Sequence, residues 1–172
     1  CNPTPKWGYG MTNAFAYKGI QLNVFLQGVR GNQIYNVTRQ RRESMLGQFN
    51  GSLNTLNRWH SPELPGDGGM PRAVAVDRNS NSRFSTRWIE DGSFLRVRNI
   101  SLTYNWPQPL LSKMHLKGLR TYVSAQNLLT FTKYSGYDPE VGRSGNDPLV
   151  SGYDDANYPL QRMYMIGLNL QL

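Results

Sequence analysis

The sequence predicts an all-β chain built on five long antiparallel strands. Three observations predict it. Five segments alternate apolar and polar side chains with the period of two that a pleated strand imposes. The links between them alternate between short, at residues 18–19 and 107–117, and long, after Val29 and after Tyr134. The composition agrees: 17% charged residues, 12% aromatics and 17 glycines suit strands joined by extended turns.

Residues 1–8 are proline-rich and read as the end of a loop. The first strand, 8–18, sets Tyr9, Met11, Phe15 and Tyr17 against Gly10, Thr12, Ala14 and Ala16. Lys18-Gly19 makes a tight turn. The second strand, 20–30, sets Ile20, Leu22, Val24 and Leu26 against Gln21, Asn23 and Gln27, so the first two strands form a hairpin. Residues 31–92 carry weak strand signals and much Asn, Arg, Gly and Pro. Within them 36–49 reads as a helix capped by Asn36, with a thin apolar stripe. A connection this long is uncommon without a function of its own.

The third strand, 93–106, is irregular. Ile100, Leu102, Tyr104 and Trp106 share a face, while Leu95 and Val97 fall on the opposite one. That phase slip reads as a β-bulge near Arg98–Asn99, or as a strand passing between two environments. The fourth strand, 118–133, places Leu119, Val123, Ala125, Leu129 and Phe131 opposite Arg120, Tyr122, Ser124 and Gln126. Residues 135–159 form a second long connection. The fifth strand, 161–172, carries Tyr164, Ile166, Leu168, Leu170 and Leu172 on one face.

No run approaches the length of an apolar membrane helix, which leaves a membrane barrel open because its signal is alternation. A single cysteine allows no internal disulfide. The net charge of +8 raises nucleic-acid binding, but the basic residues are spread along the chain apart from Arg39, Arg41 and Arg42. With no nucleic-acid module signature, no nucleic-acid partner is expected. Cys1 fits either a mature lipoprotein or a piece of a longer chain; the absence of a flexible tether after it favours the second.

Short links at one end and long ones at the other are the connectivity of an outer-membrane barrel. A soluble β-sandwich also alternates, and a self-contained soluble or lipid-anchored β-rich binding module is the alternative reading. Five strands do not close a membrane barrel, which needs about eight, so the remaining wall must come from elsewhere.

No catalytic constellation is present, and the chain reads as a non-enzyme. His60, Ser61 and Glu63 are too close in one loop to converge as a triad. Gly66-Asp67-Gly68-Gly69 lacks the context of a phosphate loop and reads as a turn. Asp138, Glu140, Asn146, Asp147, Asp154 and Asp155 gather oxygen donors within 135–159, where a structural calcium is the one cofactor considered, against a solvated loop. Trp59, Tyr134, Tyr137, Tyr153 and Tyr158 sit in or beside the long connections. There rings stack on sugars or pack on a partner, or form an interfacial belt or pack within the loop.

Six runs carry a family resemblance: NPTPKWGYG (2–10), YKGIQLNVFLQGVRGNQIYN (17–36), NRWHSPELPGDGGMPRA (57–73), WIEDGSFLRVRNISLTYNWP (88–107), LRTYVSAQNLLTFTKYSGYDPEVG (119–142) and YPLQRMYMIGLNLQL (158–172). Together they resemble the C-terminal part of SusC/RagA-type TonB-dependent outer-membrane transporters. The resemblance implies a 22-stranded barrel with an N-terminal plug, of which residues 1–172 are the last five antiparallel strands, with long extracellular loops and the plug absent. One departure is Leu172, where such barrels usually end in Phe.

The resemblance further implies a multi-pass barrel in the Gram-negative outer membrane that imports oligosaccharides or peptides under a SusD-like surface lipoprotein. The rest of the same barrel, its plug and the outer-membrane lipid are then its other partners, with TonB engaged through the missing N-terminal part. On that reading the expected substrate-binding residues are Tyr137, Asp138, Trp59 and Tyr153.

Overall fold

A computed structural model describes residues 2–47, 49–140 and 151–171. The chain divides into two compact units. The larger sheet belongs to Pro5–Gly31, Ser93–Lys133 and Pro159–Leu172. It contains β1 (Trp7–Tyr17), β2 (Ile20–Arg30), β5 (Phe94–Asn105), β6 (Gly118–Thr132) and β8 (Met163–Gln171) in the order β1-β2-β5-β6-β8, every neighbour antiparallel. β1 and β2 meet in a two-residue turn with Lys18 at φ 43° and Gly19 at φ 85°. Left-handed φ at both central positions matches the right-handed twist of the flanking strands, and glycine is the residue that adopts it without steric cost.

The register explains the slip in the third sequence segment. β1 and β2 pair without interruption, so Leu22, Val24, Leu26 and Gly28 share a face. β5 pairs Leu102, Ile100, Val97 and Leu95 with those four, skipping Arg98. β6 then places Asn127 and Leu128 opposite the same break, between Gln126 and Leu129. The bulge widens by one residue per strand and restores the phase. Asn127 takes φ 51° there, accepts from Arg98 Nη1 at 3.3 Å and donates to the Gln161 carbonyl at 3.0 Å.

The result is one apolar face running across all five strands: Phe15, Leu22, Leu102, Val123 and Ile166 among others. Its side chains stay open, with Phe15 at 62%, Phe131 at 58% and Ile166 at 85% exposure. The opposite face carries Thr103, Ser124 and Arg96, all buried. Arg96 donates to Thr130 Oγ1 at 3.0 Å and lies over the Phe94 ring. A glycine on each face makes room for a ring: a Cβ on Gly167, on the polar face, would strike Tyr122, and one on Gly28, on the apolar face, would strike Tyr9 and the Phe94 carbonyl. A short helix, α2 (Gln108–Lys113), closes the β5–β6 connection with Leu111 buried.

The second unit is assembled from Cys1–Thr4, Asn32–Gly92 and Tyr134–Tyr158. The strand signals there are only weak, yet it contains a three-stranded sheet in the order β4-β3-β7, from β3 (Gln33–Asn36), β4 (Ile89–Asp91) and β7 (Tyr153–Asp154). β3 is antiparallel to β4 and parallel to β7. Tyr35, Val37 and Trp88 form its core, flanked by Ile89 and Tyr153. Phe84 and Tyr153 stack on Tyr35 with ring centroids 4.5 and 5.6 Å away.

The helix expected over 36–49 is α1 (Val37–Glu43), and Asn36 is its N-cap, accepting from Arg39 N at 2.8 Å. It ends early because Ser44 caps it and Met45 turns to φ 63°. The thin apolar stripe offers no packing to carry it further.

Candidate functional site

The second unit is organised by carboxylates. Glu90, on β4, accepts from Asn36 Nδ2 at 3.2 Å, Arg39 Nη1 at 3.1 Å, and the backbone N and Oγ of Ser135 at 2.9 and 2.8 Å. Glu43, at the end of α1, accepts from Arg39 Nε, Ser52 Oγ and Asn54 Nδ2, each at 2.9 Å. Burial works against ionisation of Glu43, but these three donors hold its carboxyl below the ordinary carboxylate range. Arg39 bridges both carboxylates, so segments far apart in sequence are tied to one helix.

A second cluster fixes 151–158. The Tyr134 hydroxyl donates to Asp154 Oδ2 at 2.5 Å, and Asn157 N donates to the other oxygen at 3.1 Å. Burial first, then the neighbouring carboxylate, push the Tyr134 hydroxyl well above its ordinary pKa, so it stays a proton donor. Arg41 pairs with Asp155 through both terminal guanidinium nitrogens, Nη1 and Nη2.

The four residues expected to touch substrate all fall in this unit, in different settings. Tyr137 is 66% exposed, and the adjacent Asp138 accepts from Glu140 N at 2.9 Å. Trp59 is half-buried in a turn whose backbone N donates to the Met70 carbonyl at 3.1 Å. Tyr153 is half-buried with one ring face on Tyr35. Of the other loop aromatics, Tyr158 is open to solvent and Tyr134 is buried.

Among the oxygen donors, Asp154 and Asp155 are taken up by the contacts above. Asn146 and Asp147 lie outside the described residues, as do Cys1 and Leu172. Among the described residues no group of three or more His, Cys, Asp or Glu converges as a metal site. His60 and Ser61 serve a backbone turn, both donating to the Leu64 carbonyl, with no triad geometry. Sequence reasoning missed the Glu43 and Glu90 networks. Glu43 follows Arg41-Arg42 and Glu90 stands beside Asp91, and only their distant donors mark them.

No protein-family model matches the chain. It is 36% identical to TonB-dependent receptor P3 of Formosa agariphila over 99% of its own length and 17% of that protein. To the TonB-dependent receptor SusC of Bacteroides thetaiotaomicron it is 30% identical over 94% of the chain and 15% of SusC. A solved structure of the RagAB peptide importer in its open-open state superposes with a TM-score of 0.80 at 30% identity, over 98% of this chain and 17% of that one. The closed-closed state gives 0.77 at 30% identity over the same shares.

This chain is a part-length relative of SusC/RagA-type TonB-dependent receptors. It spans about one sixth, 17%, of the length of the first of the curated relatives it matches. The apolar-out, polar-opposite sheet described above is the part of the molecule that such a receptor's barrel wall would use.

Proposed function

We propose that the chain forms part of the wall and outer loops of a TonB-dependent outer-membrane transporter that imports oligosaccharides or peptides. The observation that carries this reading is the largely apolar face across five strands. In water, rings and branched chains exposed as far as Phe15, Tyr17, Tyr164 and Ile166 are would make a contiguous patch that monomeric soluble proteins rarely leave open. Against lipid the same face is satisfied, and the polar face lines the lumen. A soluble binding module would have to cover it. The remaining strands to close a 22-stranded barrel, the plug and the TonB-contacting segment belong to the rest of the transporter.

Topology tests this directly. β2 and β6 run in the same direction, since each is antiparallel to β5, so both long connections leave the same end of the strands. An epitope inserted near Gly51 should be accessible to antibody on intact cells. One inserted between Met114 and His115 should need a permeabilised outer membrane. Equal accessibility of the two tags overturns the barrel reading.

In this reading a SusD-like surface lipoprotein docks on the long connections. Leu53 and Leu56, one turn apart in a 3₁₀ segment and 84% and 69% exposed, suit such a contact because positions i and i+3 eclipse there. Tyr137 and Asp138 meet substrate, Tyr137 as a flat face and Asp138 as an acceptor; Trp59 and Tyr153 support them. Tyr137→Ala with Asp138→Ala should slow labelled-substrate uptake severalfold while heat-modifiability on a gel still reports a folded barrel. Unchanged uptake, or loss of the folded form, removes these two residues from the substrate path.

A further inference from the structure

Residues 71–81 enclose an open pocket of about 680 Å³, inside the range of about 300–1,000 Å³ typical of small-ligand sites. Its polar groups are Arg72, Arg78, Asn79 and Asn81, and Val74 and Val76 contribute apolar lining. The pocket has a defined frame. Val74 N donates to the Met45 carbonyl at 3.0 Å, and a parallel bridge joins Leu46 to Val74. On the other side Asp77 accepts from Asn81 N at 2.7 Å and from Ser82 N and Oγ at 2.9 and 2.6 Å, holding Ser80 at φ 51°.

Those bonds consume the one carboxylate within 71–81. Among the described residues neither Arg72 nor Arg78 has an ion-pair or side-chain hydrogen-bond partner, and the side-chain amides of Asn79 and Asn81 are likewise uncommitted. Two free guanidinium forks beside one apolar wall make a receptor for carboxylates: the planar fork matches a carboxylate in a bidentate pair. Asn amides offer both a donor and an acceptor, which is what a peptide unit needs. No aromatic ring lines the pocket, and the flat stacking face that a sugar favours is absent from it.

We propose that this pocket binds acidic oligopeptides, with Arg72 and Arg78 holding side-chain carboxylates and Val74 and Val76 receiving apolar neighbours. The proposal rests on the import reading and narrows its substrate class. The test uses the intact transporter in detergent and isothermal titration with three probes: a blocked hexapeptide alternating aspartate with valine, its asparagine isostere, and tetragalacturonate. The aspartate peptide should bind about tenfold or more tighter than the isostere, on the scale of a charge-assisted bidentate pair. Arg72→Gln with Arg78→Gln should remove that preference.

Equal binding of the two peptides, full retention of the preference by the double variant, or tighter binding of tetragalacturonate than of the aspartate peptide overturns the proposal. So does failure of the aspartate peptide to bind at all. Labelled uptake with and without TonB separates the two levels. TonB-dependent uptake in the face of equal peptide binding sinks the pocket alone, whereas uptake of no probe responding to TonB sinks the import reading.

Discussion

Trp88→Ala should destabilise the unit built from Asn32–Gly92 by about 3–5 kcal/mol, the range for emptying a buried tryptophan site. Trp88 has 0% exposure and sits in the only cluster of core residues that the described part of this unit forms, with Tyr35 and Val37. Its indole Nε1 donates to the Arg83 carbonyl at 3.2 Å, and the Arg87 guanidinium lies 4.6 Å from the ring centre. The substitution therefore removes apolar volume, takes away the donor to the Arg83 carbonyl and strips a cation of its ring. Trp88→Phe should recover most of the packing without the hydrogen bond. Limited proteolysis of the intact transporter reads the effect as cleavage within 32–92 at a protease level the parent resists. If Trp88→Ala is cleaved no faster than the parent, the core is elsewhere.

Leu168→Arg in the complete transporter should cost about 2–4 kcal/mol if the residue lies near the bilayer midplane. Leu168 is 63% exposed on the apolar face and pairs across the strand with Thr121. A charge there would sit in hydrocarbon with no partner. Its neighbour Asn169 points to the opposite face, so Asn169→Arg escapes that penalty. It does meet Arg120 directly across the strand, and a like-charge pair there costs up to about 1 kcal/mol. The ordering of the two costs survives that correction. A refolding titration into lipid vesicles that finds both variants equally tolerated would end the lipid-face assignment.

The two experiments address different parts of the chain because the two parts are stabilised differently. In the sheet, neighbouring strands meet through long antiparallel ladders, so a single substitution acts through the face it presents. In the second unit, stability comes from a few buried rings and from Glu43 and Glu90, whose donors lie 4 to 54 residues away. Loss of one centre there loosens several segments together.

The sequence by itself determined the long strands, the Lys18-Gly19 turn, the cap at Asn36 and the relationship to SusC-type receptors. Each of these is a local signal: a period of two sustained over nine residues or more, a dipeptide with a preferred φ, a side chain three residues from the backbone N it accepts from. Only the tertiary structure decided between the two readings of the third strand. Alternation records a phase slip but not which strand absorbs it, and pairing with an unbroken β2 brings Leu95 and Val97 onto the face of Ile100. Tertiary structure also turned 31–92 and 134–158 from loops into a unit with its own core. β3, β4 and β7 are four, three and two residues long, too short to show any period. They become strands because Tyr35 finds Ile89 and Tyr153 from far along the chain, and that same meeting covers one face of Tyr153 while the Tyr134 hydroxyl is drawn into the interior by Asp154. No local pattern encodes such a meeting, since its free energy lies in contacts between segments and not within them.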